Sequence, residues 1–260
     1  MPPARSGADA RLQDLVSVSQ GRILALNAEG AAHRRLARFG AIVCADFGVP
    51  HPWGVQAVAS GVPSRTDVAS ARAWLQERGA RHGWRFCLAQ EEHAGSPWRD
   101  LPVRERMELF AVTGLDRRRA TSPVPAGLQL VTDPTYEQVV AGYGGWMNDE
   151  SLARLLVVPD DLERSDRGYV VGRSEGRVVG CGFVWWCGRV ACLSGIGVVA
   201  DQRGRGVGRA LTQAALDLAV TGPAAGAVDV VWLHATADGA RLYRHLGMQW
   251  LGTQVQVGLA

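Results

Sequence analysis

The sequence predicts a mixed α/β (α+β) protein, with helices packed on a central sheet and two such domains in tandem. Three observations predict it. Strand-like and helix-like segments interleave after residue 127, which implies a mixed sheet flanked by helices. The stretch Thr121-Ser-Pro-Val-Pro-Ala-Gly127 puts two prolines and a glycine between periodic segments and marks a boundary between domains 1–122 and 127–260. The chain has 260 residues, enough for one large core or two small ones.

Each element has its own signal. Residues 128–132 read as a short strand, Asp133-Pro-Thr135 opens a helix through about Tyr143, and 149–156 form a second helix. Residues 169–172 and 177–186 alternate as a hairpin that turns at Ser174-Glu-Gly176. An apolar strand at 190–199 leads into the glycine-rich run Gln202-Arg-Gly-Arg-Gly-Val-Gly208 and an amphipathic helix at 207–220. A strand at 228–234, a helix at 238–246 and a strand at 248–257 close the chain. In the first half, 8–38 reads as mostly helical, 41–46 and 55–59 as strands, and Thr66-Asp67 as the cap of a helix through Arg78. Residues 84–89 read as a strand and 103–112 as a helix. Met107-Glu-Leu-Phe-Ala-Val-Thr-Gly-Leu115 lines up with Ala240-Arg-Leu-Tyr-Arg-His-Leu-Gly-Met248, so that Phe110 falls on Tyr243. This echo is either a degenerate repeat of one fold or a chance match of two amphipathic helix ends.

Composition excludes several function classes. All 28 basic residues are arginine. Without lysine there is no phosphate-binding P-loop and no Schiff-base chemistry. Residues 1–126 carry 17 arginines against 12 acids, a net +5, and 127–260 carry 11 against 13, a net −2. A total of +3 is too small to imply a polyanion partner, so no nucleic acid is expected. No apolar run is long enough for a membrane helix, and Met1 to Ala10 lacks a signal-type apolar core, which predicts a cytoplasmic protein. Cys44, Cys87, Cys181, Cys187 and Cys192 match no metal or redox spacing and read as reduced packing residues, and no metal is expected.

The strongest chemical signal is Arg203-Gly-Arg-Gly-Val-Gly208 between a strand and a helix. Alternate glycines let backbone turn tightly and approach a ligand, and the next helix aims unpaired N–H groups and its positive end at that ligand. Such a device binds pyrophosphate. The dinucleotide spacing fails, because the third glycine would fall on Arg209 or Leu211.

The loop resembles the cofactor loop of the GNAT acetyltransferase superfamily, Gln/Arg-x-x-Gly-x-Gly/Ala, with Arg203, Gly206 and Gly208 in the matching positions. Ala240-Arg-Leu-Tyr243-Arg-His-Leu-Gly247-Met248 is similar to the family's final helix-to-strand signature. The resemblance covers about 127–260 and implies a mostly antiparallel sheet and acetyl-CoA as the cofactor. It implies that backbone N–H groups of Arg203, Gly204, Arg205, Gly206, Val207, Gly208 and Arg209 hold the CoA pyrophosphate. Ile196, Gly197 and Val198 would pair with the pantetheine amides, and a backbone N–H there would polarise the thioester carbonyl. Tyr243 falls on the general acid for the leaving thiolate, with a core tyrosine as the plainer reading. The family's glutamate on the strand before the loop has no match in Ala191-Cys-Leu-Ser-Gly195, which leaves water, Asp149, Glu150 or His234 as the base. Ala237 stands where the family often has asparagine.

Asp149, Glu150, Asp160, Asp161, Glu163 and Asp166, with Tyr143, Trp146, Trp185 and Trp186, fall where the family walls its acceptor pocket. Of these, Trp146, Asp149, Glu150 and Trp185 are the candidate substrate contacts, by charge and cation–π attraction for a cationic amine. A solvated helix face beside core aromatics is the other reading. Adjacent strand residues face opposite ways, so at most one of Trp185 and Trp186 lines the site. These readings imply acetyl transfer from acetyl-CoA to a primary amine of a small molecule in a ternary complex. A non-catalytic acyl-CoA sensor is one rival. A protein- or RNA-modifying acetyltransferase docking through Arg117-Arg-Arg119 is the other. The first domain has Gly61-Val-Pro-Ser-Arg-Thr-Asp67 in place of the glycine loop and is not expected to hold CoA. Monomer and homodimer stay open.

Overall fold

Along the chain run α1 (Gly7–Ala28), β1 (Arg35–Phe39), β2 (Ile42–Asp46), β3 (Val55–Ala59), α2 (Arg65–Glu77), β4 (Trp84–Leu88) and β5 (Val103–Thr113). Then follow β6 (Leu128–Val131), α3 (Tyr136–Met147), α4 (Glu150–Leu156), β7 (Arg167–Ser174), β8 (Arg177–Cys187), β9 (Val190–Val198), α5 (Val207–Thr221), β10 (Val230–Ala235), α6 (Ala237–His245) and β11 (Gln249–Val257). The structure is a computed structural model and describes residues 7–29, 34–49, 51, 54–79, 84–88, 101–114, 123–222 and 228–258. Its residues fall into two units, Val112–Leu233 and Met1–Ala111 with His234–Ala260.

In Val112–Leu233 the strand order is β10-β9-β8-β7-β6, antiparallel except for the parallel pair β9 and β10. The β7–β8 hairpin turns where the sequence predicts it, with Glu175 at φ 52° and Gly176 at φ 78°. Two consecutive positive φ angles suit the twist of an antiparallel pair. α5 buries Val207, Ala210, Leu211, Ala215, Leu216 and Ala219, an i, i+3, i+4 stripe, against one face of this sheet. A Cβ on Gly180 would lie 2.9 Å from Leu211 Cδ1, so β8 needs a glycine for the helix to seat. α3 covers the other face, where Gly142 comes so close that an added Cβ would sit 2.8 Å from Cys181 Cβ. Capping boxes and αL residues define the ends: Thr135 with Gln138 starts α3, and Asn148 at φ 58° stops it.

In the other unit the order is β1-β2-β3-β4-β11-β5, with β3 and β4 parallel and the other pairs antiparallel. α2 lays Val68, Ala71 and Leu75 on a core with Ile42, Cys44, Ala57, Val255 and Val257. β11 runs between β4 and β5, so the end of the chain completes this sheet and the units divide after Ala111 and again after Leu233. The linker at 121–127 does not coincide with either division, and Thr121 and Ser122 lie outside the described residues.

The helix predicted at 103–112 is a strand, β5. Val103, Met107 and Phe110 have helical spacing, but Leu109, Phe110, Ala111 and Val112 are buried in succession, which needs a strand covered on both faces. Pairing with β11 overrides the helix propensity of the Arg-Glu-Arg-Met-Glu run. The alignment of Met107–Leu115 with the last helix therefore fails, because Phe110 is on a strand and Tyr243 on α6. The first unit does repeat the second in another way, a parallel strand pair joined by a helix. α2 also begins two residues earlier than predicted, with Ser64 as its cap. Cys44, Cys181, Cys187 and Cys192 are free thiols. No helix among the described residues is long and apolar enough to cross a membrane.

Candidate functional site

β9 pairs with β8 along its length, but its parallel ladder with β10 stops at Leu193 opposite Leu233. Among the described residues, the ladder with β10 does not continue from Ser194 to Val198. The register with β8 slips between Cys181 and Phe183, so Gly195 and Ile196 together oppose Gly182. Gly195 takes φ 59°, and a Cβ on Gly182 would lie 2.4 Å from Ile196 Cδ1. This is a β-bulge, which bends a strand and re-aims its edge. Ile196 thus lies in the bulge, and Gly197 and Val198 just past it.

The loop after β9 begins with a 3-10 turn at Ala200–Gln202. Arg203 Nε then donates to Val198 O at 3.1 Å, tying the loop back to the strand. Gly204 and Gly206 take φ 74° and 84°, where any side chain would be strained. Gly206 is the N-cap of α5 and supplies no side-chain cap. The first helical bond runs from Ala210 N–H to Gly206 O at 3.0 Å. The N–H groups of Val207, Gly208 and Arg209 therefore precede the ladder, and no acidic residue stands in the first turn. Arg203, Gly204, Arg205, Gly206 and Arg209 are exposed. The residues fit a pyrophosphate held by backbone N–H groups and an extended amide chain along the open strand edge.

Tyr243 is on α6, which Thr236 caps by accepting from Gly239 N–H at 3.3 Å. Ala237 is the first residue of that helix and carries no amide. The Tyr243 ring is buried and packs at 6.0 Å from the Phe110 ring. Burial pushes its phenol up to about 12, so it keeps its proton across the usable pH range.

The predicted acceptor residues fall into two groups. Trp146 lies directly on Gly197, where an added Cβ would meet its indole at 2.2 Å, and its ring meets Tyr143 edge-on at 5.5 Å. Trp185 donates from Nε1 to Ser194 Oγ at 2.7 Å, and Arg167 stacks over its ring at 4.4 Å. Trp186 turns to the opposite face and donates to Ala219 O of α5 at 2.9 Å. Trp146 and Trp185 reach β9. The carboxylates are engaged elsewhere. Asp149 caps α4 through Leu152 N–H at 2.9 Å. Glu150 pairs with Arg154 at 2.8 Å, and Arg154 also holds Glu137. Asp161 is buried in an ion pair with Arg167 at 2.5 Å, and Asp166 pairs with Arg164 and Arg167. His234 sits 3.3 Å from Gln20 Nε2. Arg117, Arg118 and Arg119 lie outside the described residues.

Sequence reasoning missed the bulge and the Trp185–Ser194 bond. Gly195 two residues before Gly197 was the available signal for the bulge. Nothing in the sequence pairs Trp185 with Ser194, because cross-strand partners depend on register.

Residues 129–248 match the model of the Acetyltransferase (GNAT) family. No curated protein matches the chain. Among solved structures the fold is similar to that of a GCN5-related N-acetyltransferase from Kribbella flavida, at 22% identity over 95% of both chains, with a TM-score of 0.67. It is also similar to a tandem GNAT protein from the clavulanic acid biosynthesis pathway, at 15% identity over 95% of this chain and 93% of that one, with a TM-score of 0.58. A GCN5-related N-acetyltransferase from Sphaerobacter thermophilus aligns at 18% identity over 97% and 93%, with a TM-score of 0.56. At these identities the likeness is one of fold, and it extends over nearly the whole chain. The match to the GNAT acetyltransferase family covers residues 129–248, just under half of the chain.

Proposed function

We propose that the protein is an acetyl-CoA-dependent N-acetyltransferase that transfers an acetyl group to a primary amine of a small molecule within a ternary complex. The observation that carries this reading is the uncapped N-terminus of α5, opened by two left-handed glycines and following a strand with one free edge. Val207, Gly208 and Arg209 N–H groups, with those of Gly204, Arg205 and Gly206, would hold the pyrophosphate, and Arg203 would fix the loop that presents them. Ile196, Gly197 and Val198 would receive the pantetheine amides, and a backbone N–H beside the bulge would polarise the acyl carbonyl. Acetyl-CoA, when bound, supplies the activated acyl group. Tyr243 Oη holds the proton for the leaving sulfur, and burial keeps it there. Trp146 and Trp185 would line the acceptor side of β9, whereas Asp149 and Glu150 serve α4 and Arg154 and have less claim to the amine. Residues 1–122 would form a degenerate copy of the domain that holds no CoA.

Thermal shift with acetyl-CoA tests the cofactor site, on wild type and on Gly206→Glu. Stabilisation of the wild type alone is the expected result, with both unliganded proteins folded. No shift in either protein would remove the cofactor assignment. A second reading, a non-catalytic acyl-CoA sensor, draws on the lack of a carboxylate in Ala191–Gly195 and the engagement of Asp149 and Glu150. It predicts the same thermal shift with no thiol release from any amine.

A further inference from the structure

The bulge in β9 lies where its ladder with β10 ends. Leu193 is the last residue opposite β10, and Ser194 is the first beyond it. Exposure changes at the same place: Ala191, Cys192 and Leu193 are buried, whereas Ser194, Gly195 and Ile196 are half-buried. With a pyrophosphate held by the loop after Val198, the arm of CoA runs back along β9 toward this point. That arm is about as long as four residues of extended chain, and Val198 and Ser194 stand that far apart on β9.

Ser194 ends a chain of contacts that starts from a buried charge. Arg167 pairs with Asp161 at 2.5 Å and with Asp166 at 3.2 Å, and its side chain is 1% exposed. The guanidinium stacks over the Trp185 ring at 4.4 Å, and a cation on the face of an indole polarises its N–H. Trp185 Nε1 then donates to Ser194 Oγ at 2.7 Å. Phe183 and Trp185 share a sheet face, two residues apart on β8, and Ser194 lies opposite Phe183. A hydroxyl that accepts a hydrogen bond donates a stronger one. Among the described residues the Ser194 hydroxyl donates to none. Every step from Arg167 outward presents a donor, so the end of the chain suits developing negative charge and not an ammonium ion. All of these residues belong to the unit Val112–Leu233.

We infer that Ser194 Oγ–H donates to the acyl oxygen of acetyl-CoA, beside the backbone N–H at the bulge, with Trp185 as its positioning residue. This deepens the acetyltransferase reading and rests on it. Ser194 keeps its proton throughout. Its hydrogen bond strengthens as the amine nitrogen bonds to the acyl carbon and charge moves to the acyl oxygen. When the C–S bond breaks, that charge returns to the carbonyl, and the proton shed by nitrogen ends on sulfur. The sum is one amine and one thioester converted to one amide and one thiol.

The test compares wild type, Ser194→Ala, Ser194→Thr and Trp185→Phe. The probe is acetyl-CoA isotope-labelled at the acyl carbonyl, and the readout is the carbonyl stretching band of the bound probe. A donated hydrogen bond lowers that band. It should move to higher wavenumber in Ser194→Ala and stay at the wild-type position in Ser194→Thr, which keeps the hydroxyl. Trp185→Phe keeps a ring beneath Arg167 but removes the N–H, and its band should fall between the two. The acetyl-CoA thermal shift should persist in every variant, because the loop after β9 is untouched. With an amine that supports thiol release in the wild type, Ser194→Ala should lose about 100-fold in kcat, the low end for one donor to a developing oxyanion. Ser194→Thr should recover most of that loss. A bound-probe band in Ser194→Ala at the wild-type position would overturn the assignment, as would wild-type kcat in that variant. A wild type with no acetyl-CoA shift would fail the cofactor site, and this inference with it. A band that depends on Ser194, with no thiol release from any amine, would fail the enzyme reading alone and keep the Ser194 contact.

Discussion

The chain contains the same crossover twice, and the two copies part company at one place, the N-terminus of the helix. In the first, β3 and β4 run parallel from Ala57 opposite Trp84 to Ala59 opposite Phe86, with α2 between them. In the second, β9 and β10 run parallel from Val190 opposite Val230 to Leu193 opposite Leu233, with α5 between them. α2 begins with a capping box: Ser64 Oγ accepts from Asp67 N–H at 3.1 Å, and Asp67 Oδ2 accepts from Ser64 N–H at 3.0 Å. α5 begins with Gly206 and no side-chain cap. In α2 the positive helix end is satisfied by its own carboxylate. In α5 it is left for an anion from outside. One architecture thus yields a structural crossover and a candidate phosphate site, and a few residues at the turn decide which.

The comparison requires that both helices do equal packing work. Leu75 of α2 and Leu211 of α5 are fully buried. Leu75→Ala and Leu211→Ala should each cost about 2–5 kcal/mol, the range for a leucine removed from a close-packed core. Denaturant midpoints would check this. A cost confined to one variant would mean that the two crossovers differ in packing as well as in their caps.

The next largest effect concerns the ligand. Gly206→Asp would give α5 the kind of carboxylate that α2 has. Aspartate tolerates the left-handed conformation better than most residues, so the fold should survive. At acetyl-CoA one hundred times its Kd, the wild type should gain about 2.7 kcal/mol of stability and Gly206→Asp should gain none. Retention of the wild-type shift would show that the helix end is not where the anion binds.

The loop could be read in the sequence because its geometry demands particular residues: φ values of 74° and 84° leave little besides glycine at 204 and 206. The positions of Trp185 and Trp186 on opposite faces followed from strand alternation. β5 could not be read, because its apolar residues have helical spacing and only pairing with β11 makes it a strand. The engagement of the acidic residues was hidden for a similar reason. Glu137 and Glu150 share Arg154, which is 17 residues from the first, and Asp161 meets Arg167 only because a 3-10 turn at Pro159–Leu162 returns the chain to β7. Charge along a sequence shows where carboxylates are, but not what neutralises them.

The two units also share a response to alkali. Cys44 on β2 and Cys181 on β8 are both buried, and burial raises both thiols above their ordinary value of 9.0, Cys44 to about 12. The unfolded chain gives up these protons first. Between pH 9 and the raised values the native state binds more protons, so stability is complete below about pH 9 and falls as pH rises. Each thiol should remove about 1.4 kcal/mol by pH 10. Urea midpoints at pH 7 and pH 10 would show the fall, and Cys44→Ala should reduce it. An unchanged pH dependence in that variant would show that the Cys44 thiol does not contribute.

The smallest effect bears most directly on the contrast between the helix ends. Ser64→Ala removes half of the α2 capping box and should cost about 1 kcal/mol, as loss of an N-cap does. It should create no new response to acetyl-CoA, and the same should hold when Asp67→Ala is added. An empty cap does not make a cofactor site here, since the turn before α2 is Gly61-Val-Pro-Ser64 and lacks the two left-handed glycines that expose backbone N–H groups before α5. With Gly206→Glu as the background, to silence the α5 loop, any acetyl-CoA stabilisation regained by the double variant would come from α2. Such a gain would mean that Asp67 alone blocks a second site, and that the first crossover is a masked binding element instead of a structural one.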